Sequence, residues 1–94
     1  MQQLSMPFPD KLDASLTEMC DQFASTARMP VVIRCERDAL PYIVGQVIEY
    51  GGKVRREVAT IGAIAAWLPL VALEKLTASD KVRSIELEQE FIIA

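Results

Sequence analysis

The sequence predicts an α+β fold in which two helices lie on one face of an antiparallel four-stranded sheet. Stretches with apolar residues at helical spacing alternate with shorter stretches in which polar and apolar residues alternate, as in half-buried strands. Gly51 and Gly52 mark a helix end followed by a hairpin, because glycine adopts the positive φ that closes a helix. The second hairpin strand, residues 61–68, is apolar on both faces, which is typical of a central strand.

The N-terminal third combines a predicted loose arm, residues 1–9, with an amphipathic helix. Asp10 is a suitable N-cap, and Pro30 prevents the helix from continuing beyond about residue 28. One apolar stripe follows the helix, with Leu12, Leu16, Met19, Cys20, Phe23 and Ala27 at helical spacing. Packing of this stripe on its own domain is favoured over a dimer or partner contact.

The remaining segments alternate between strand and helix. Residues 31–36 are rich in β-branched side chains and predict the first strand. A helix capped by Asp38 then extends to Gly51, and strands 53–58 and 61–68 form the hairpin. A second helix begins at about Pro69, and the last strand covers residues 82–88, with Ile85 and Leu87 on one side and Ser84, Glu86 and Glu88 on the other.

This order, strand-helix-strand-strand-helix-strand, is the ferredoxin-like pattern, and it assigns residues 31–94 to one domain preceded by the arm and helix of residues 1–30. Right-handed crossovers place the first and third strands in the centre of the sheet. On the third strand Ile64, Ala66 and Leu68 are then expected to face the helices. Its other side chains, Ala63, Ala65 and Trp67, are expected on the open face.

Composition narrows the possible partners. A net charge of −3 argues against binding to nucleic acid, which requires clustered basic residues. No run approaches the roughly 20 apolar residues of a membrane helix, so no membrane partner is expected. The N-terminus lacks the basic and apolar regions of a secretory signal, which makes the cytoplasm the default location. Cys20 and Cys35 are expected as buried thiols, with a disulfide as the alternative.

The sequence does not predict an enzyme. It contains no histidine, no nucleophile elbow and no glycine-rich phosphate loop, so no catalytic residue, metal site or cofactor is expected. Glu86, Glu88 and Glu90 alternate along the last strand, and a solvated strand face explains them without catalysis.

Three segments carry a resemblance to a known family. IEYGGKVRRE, then IGAIAAWLPLVALEKL, then VRSIELE resemble the propeptide domain of subtilisin-type serine proteases, the inhibitor I9 family, and its free-standing inhibitor relatives. The shared pattern is an alanine-rich third strand leading into Leu-Pro and a leucine-rich helix, followed by a strand with carboxylates at alternate positions. The similarity covers about residues 31–94.

The resemblance implies a protein-binding function, either as a stand-alone inhibitor or as a propeptide-like chaperone. In that family the open sheet face docks on two helices of the protease, and carboxylates of the last strand cap their N-termini; Glu86 and Glu88 match those carboxylates. The C-terminal tail occupies the protease cleft, a role that falls here to Phe91, Ile92, Ile93 and Ala94. The alternatives are a non-inhibitory interaction module, in particular a homodimer, and a small-ligand regulatory domain.

Whether the face around Trp67 is free to bind a protease depends on where the N-terminal helix packs. An apolar open face around Ala63, Ala65 and Trp67 requires a cover, and the N-terminal helix is one candidate. If the helix covers this face, a shortened chain that begins at Met29 inhibits more strongly than the full chain.

Overall fold

The computed structural model describes residues 9–88, which form an α+β fold with the ferredoxin-like strand order. The elements are α1 (Ala14–Gln22), β1 (Arg28–Cys35), α2 (Leu40–Glu49), β2 (Lys53–Val58), β3 (Ala63–Pro69), α3 (Leu70–Thr77) and β4 (Val82–Leu87). The sheet is antiparallel throughout, in the order β2-β3-β1-β4. The predicted central position of the first and third strands is therefore confirmed.

One hydrophobic core fills the space between the sheet and its helices. Ile33, Ile64 and Ile85 contribute from three neighbouring strands, and each is fully buried. Helices α2 and α3 face them with four buried side chains, Ile43, Val47, Leu73 and Leu76. Burial of each large aliphatic side chain stabilises the fold by about 1.5–3 kcal/mol. Both cysteines are buried as free thiols, as predicted.

The connection between β2 and β3 differs from the expected short hairpin link. A 3-10 turn, Ala59–Ile61, is followed by Gly62, whose φ of 64° lies in the left-handed region. A Cβ atom added to Gly62 would lie 2.2 Å from the carbonyl oxygen of Cys35. The prediction that Gly62 lies within a strand is therefore wrong: it ends the turn, and β3 begins at Ala63 because the chain becomes extended only there.

Helix α1 is shorter than the sequence predicts. Its N-cap is Asp13, not Asp10, because the Asp13 carboxylate accepts a hydrogen bond from the backbone of Leu16. The helix ends at Gln22, so Phe23 lies outside it and is exposed. The chain then becomes extended at Arg28, three residues before the predicted start of the first strand.

Helix α1 packs into the same core as α2 and α3. Leu12, Leu16 and Cys20 belong to the core cluster, and Leu12 forms a parallel bridge with Ile85 of β4. The predicted packing of this helix on its own domain is confirmed. The suggestion that it covers the open face is wrong, because its apolar side packs into the core at the β4 edge of the sheet.

Within residues 9–88, every helix is too short or too polar to cross a membrane.

Candidate protein-binding face

The side of the sheet opposite α2 and α3 is called the open face here. Strand pairing places the side chains of this face in three rows that cross the sheet from β2 to β4. One row contains Lys53, Trp67 and Pro30, with Glu88 next to Pro30; the second contains Arg56, Ala65, Val32 and Glu86; the third contains Val58, Ala63, Arg34 and Ser84. The predicted placement of Ala63, Ala65 and Trp67 on one face is confirmed.

Small residues form the middle of the open face. Ala63 and Ala65 are only 5% and 7% exposed, although neither belongs to the core cluster. Each pairs with larger residues on both neighbouring strands. Trp67 follows them on the same strand and is half-buried. The central strand therefore provides a shallow apolar floor beside one aromatic ring, a combination found at protein interfaces.

Glu86 lies on the open face and interacts with a neighbouring strand. Arg34 Nε donates a hydrogen bond to Glu86 Oε1 at 3.4 Å, and both side chains are about half exposed. An ion pair with this exposure contributes at most about 1 kcal/mol to folding. The Glu86 carboxylate therefore retains acceptor positions directed at solvent, where a partner's N–H groups can reach it.

Glu88 is held more firmly than Glu86. It forms an ion pair with Arg55 of β2, and both side chains are about one-fifth exposed. Glu88 also donates its backbone N–H to Pro30 O at 2.9 Å, which keeps it beside β1. Strands β2 and β4 are the two edges of the sheet, three strand spacings or about 14 Å apart. The ion pair between Arg55 and Glu88 therefore extends across the open face.

The sequence does not identify either arginine as a partner of Glu86 or Glu88. Arg34 was detectable, since the alternation in β1 assigns it to the same side as Val32. Arg55 was not, because a β-bulge shifts the register between Val54 and Arg56 and interrupts the alternation of β2. A bulge of this kind leaves no clear signal in the sequence.

Apart from Arg34 on β1, the charged residues of the open face lie on its two edge strands. Lys53, Arg55 and Arg56 lie on the β2 side, whereas Glu86 and Glu88 lie on the β4 side. A partner that covers the whole face therefore meets a basic margin, a middle that is apolar except for Arg34, and an acidic margin. The predicted tail residues Phe91, Ile92, Ile93 and Ala94, together with Glu90, lie outside the described residues.

Burial raises the pKa of both cysteine thiols. Burial, followed by the charge of Asp21, raises the pKa of the Cys20 thiol. Burial also raises the pKa of Cys35, against the opposing effect of Arg83. Both thiols are therefore held in the unreactive protonated form. No group of metal-ligating side chains is found among residues 9–88.

Two open clefts of about 420 and 410 Å³ share Asp38, just before α2. The described lining residues of both clefts include acidic and basic side chains but none of the predicted site residues. The first cleft is lined by Asp38, Ala39, Tyr42, Ser79, Asp80 and Lys81, and the second by Glu36, Arg37, Asp38 and Arg83. The clefts therefore give no specific support to a small-ligand site.

No protein-family model matches the chain, and no curated protein is significantly similar to it.

Proposed function

We propose that this protein binds a subtilisin-type serine protease through the open face and acts as a stand-alone inhibitor. The observation that carries the proposal is the strip formed by Ala63, Ala65 and Trp67 on a central strand, on the side of the sheet that the described helices leave uncovered. Small side chains allow the backbone of a partner helix to come close, and an aromatic ring beside them supplies an anchor.

The acidic margin suits the same partner. A helix N-terminus presents unpaired N–H groups and a partial positive charge, and a carboxylate stabilises both. Glu86 is on the open face and about half exposed, so its carboxylate can accept such N–H groups while Arg34 keeps the side chain oriented. Glu88 is more enclosed by its ion pair with Arg55, which assigns the larger share of helix capping to Glu86.

The test is inhibition of a purified subtilisin by the full chain, followed through hydrolysis of a chromogenic peptide. We expect inhibition at micromolar protein and a loss of roughly five- to thirty-fold for Glu86→Gln, since a carboxylate at a helix N-terminus contributes about 1–2 kcal/mol in favourable geometry. Thermal melting should show nearly unchanged stability, because the Arg34 pair is exposed.

The matched control is Glu57→Gln. Glu57 is also an exposed strand carboxylate, but it pairs with Ile64 on the side of the sheet that faces the helices. Its replacement should leave inhibition unchanged. Failure of the folded wild-type protein to inhibit, or equal losses for both variants, would contradict the proposal.

A second candidate is an interaction module without inhibitory activity. One observation favours it: Glu86 and Glu88 already have arginine partners within the chain, which can satisfy them without a protease. In that case the protein binds no subtilisin, and Glu86→Gln has no effect beyond the loss of a weak surface ion pair.

A further inference from the structure

The outward side of α2 carries the most exposed large apolar residues in the described part of the chain. Tyr42 is 61% exposed and Ile48 is 62% exposed. Pro41, Gly45 and Glu49 are also exposed and lie on the same side of the helix, since they recur every four residues. These five residues are called the α2 outer face. It lies on the helix-covered side of the sheet, away from the open face.

No contact among the described residues, and no left-handed backbone, requires glycine at position 45 in the centre of the α2 outer face. A Cβ atom added there would meet nothing within 4 Å, and its φ is not in the left-handed region. By contrast, a Cβ on Gly52 would meet Leu68 Cδ2 at 2.7 Å. Glycine inside a helix costs about 1 kcal/mol relative to alanine. The unoccupied space above Gly45 is therefore available for the close approach of another helix.

The side chains around Gly45 are arranged symmetrically. Tyr42 precedes it by three residues and Ile48 follows it by three; Pro41 and Glu49 are each four residues away. In an antiparallel pair of α2 helices related by a two-fold axis at Gly45, Ile48 of each copy packs on Tyr42 of the other. The two most exposed apolar side chains then cover each other twice. Gln46 Nε2 donates to Tyr42 Oη at 3.2 Å, which orients the ring in advance.

The charges of the helix ends fit the same arrangement. Glu49 is the last residue of α2, where the negative end of the helix dipole disfavours a carboxylate. In an antiparallel pair it lies beside the first turn of the second α2, at the positive end of that dipole. The exposed turn just before α2 carries both Arg37 and Asp38, whose charges offset each other, so the helix dipole supplies the attraction for Glu49.

We infer that the α2 outer face is an isologous dimer interface whose occupant is a second copy of this chain. A ten-residue helix is about 15 Å long, so the interface is at the small end for specific protein contacts. The dimer is therefore weak and reversible. The inference does not depend on the proposed inhibitor function, because the two surfaces lie on opposite sides of the sheet.

Sedimentation equilibrium of the full chain, from micromolar concentration to about 1 mM, tests the inference. We expect a monomer–dimer equilibrium that Ile48→Ser weakens by ten-fold or more. The control, Ile61→Ser, removes a similarly exposed isoleucine, 55% exposed, from the turn before β3. It should leave the equilibrium unchanged.

Gly45→Ala provides a second, independent readout. It should raise the melting temperature of dilute, monomeric protein, since alanine is the better helix former and its Cβ has free space. It should also weaken the dimer, because the methyl group separates the two helices. A stabler monomer with weaker association supports the inference. A protein that stays monomeric to about 1 mM, or dimerisation unaffected by both Ile48→Ser and Gly45→Ala, would overturn it.

Discussion

At the scale of single residues, the carboxylate of Asp13 connects α1 to the outer strand of the sheet. Its Oδ1 accepts from Leu16 N at 2.9 Å and caps the helix, while Oδ2 accepts from Leu87 N at 2.7 Å. The backbone N–H of Asp13 also donates to Ile85 O at 3.3 Å. One side chain thus satisfies both a helix terminus and an edge-strand donor that would otherwise bind only water.

Asp13→Ala should therefore lower the free energy of unfolding by about 2–4 kcal/mol, as the sum of a lost N-cap and a lost charge-assisted hydrogen bond. Urea denaturation followed by circular dichroism measures the change. Asp10→Ala is the control: Asp10 is exposed and does not cap α1, so its replacement should change the stability by less than about 0.5 kcal/mol. Equal effects of the two substitutions would show that the Asp13 contacts do not stabilise the fold.

At the scale of secondary-structure elements, the sequence predicts whether a segment is a helix or a strand, and which face its side chains take. It predicts less well where the element packs in the fold. Strand β2 has the predicted bounds, because Gly51-Gly52 end the preceding helix and a turn begins at Ala59, although the bulge interrupts the alternation within the strand. The faces of β3 are predicted correctly because Ile64, Ala66 and Leu68 are spaced by two. The packing site of α1 was not predictable, since an apolar stripe indicates that a helix is buried but not against which surface.

Two residues of the predicted α1 stripe should now behave differently. Leu16 is fully buried in the core, whereas Phe23 lies beyond the helix end and is exposed. Leu16→Ala should cost about 2–5 kcal/mol of unfolding free energy, from lost burial and the cavity left behind. Phe23→Ala should cost well under 1 kcal/mol by the same denaturation measurement. If both substitutions are equally mild, α1 does not contribute to the core in solution.

Part of the candidate site is predictable from the alternation of residues along the strands. Alternation along β3 and β4 places Ala65, Trp67 and Glu86 on the open face without any structure. The bridge from Arg55 to Glu88 depends on a bulge in one strand and on the distance across four strands, and neither is encoded in a local pattern. What the sequence misses is thus the long-range contact that encloses Glu88.

At the scale of the whole molecule, the sheet separates two surfaces of different character. The open face has a basic margin, an acidic margin and, between them, apolar side chains beside Arg34, whereas the α2 outer face is small and apolar around Gly45. The core lies between them, so no side chain described here belongs to both. Substitutions on the two surfaces should therefore act independently.

This independence gives a last prediction. Glu86→Gln should weaken protease inhibition and leave dimerisation unchanged, whereas Ile48→Ser should weaken dimerisation and leave inhibition unchanged. In the double variant each loss should equal that of the corresponding single variant to within about 0.5 kcal/mol, because the sites share no partners. Sedimentation velocity of a mixture with an inactivated subtilisin should reveal a complex of two chains with two proteases. Dissociation of the dimer by added protease would show instead that both partners compete for one surface.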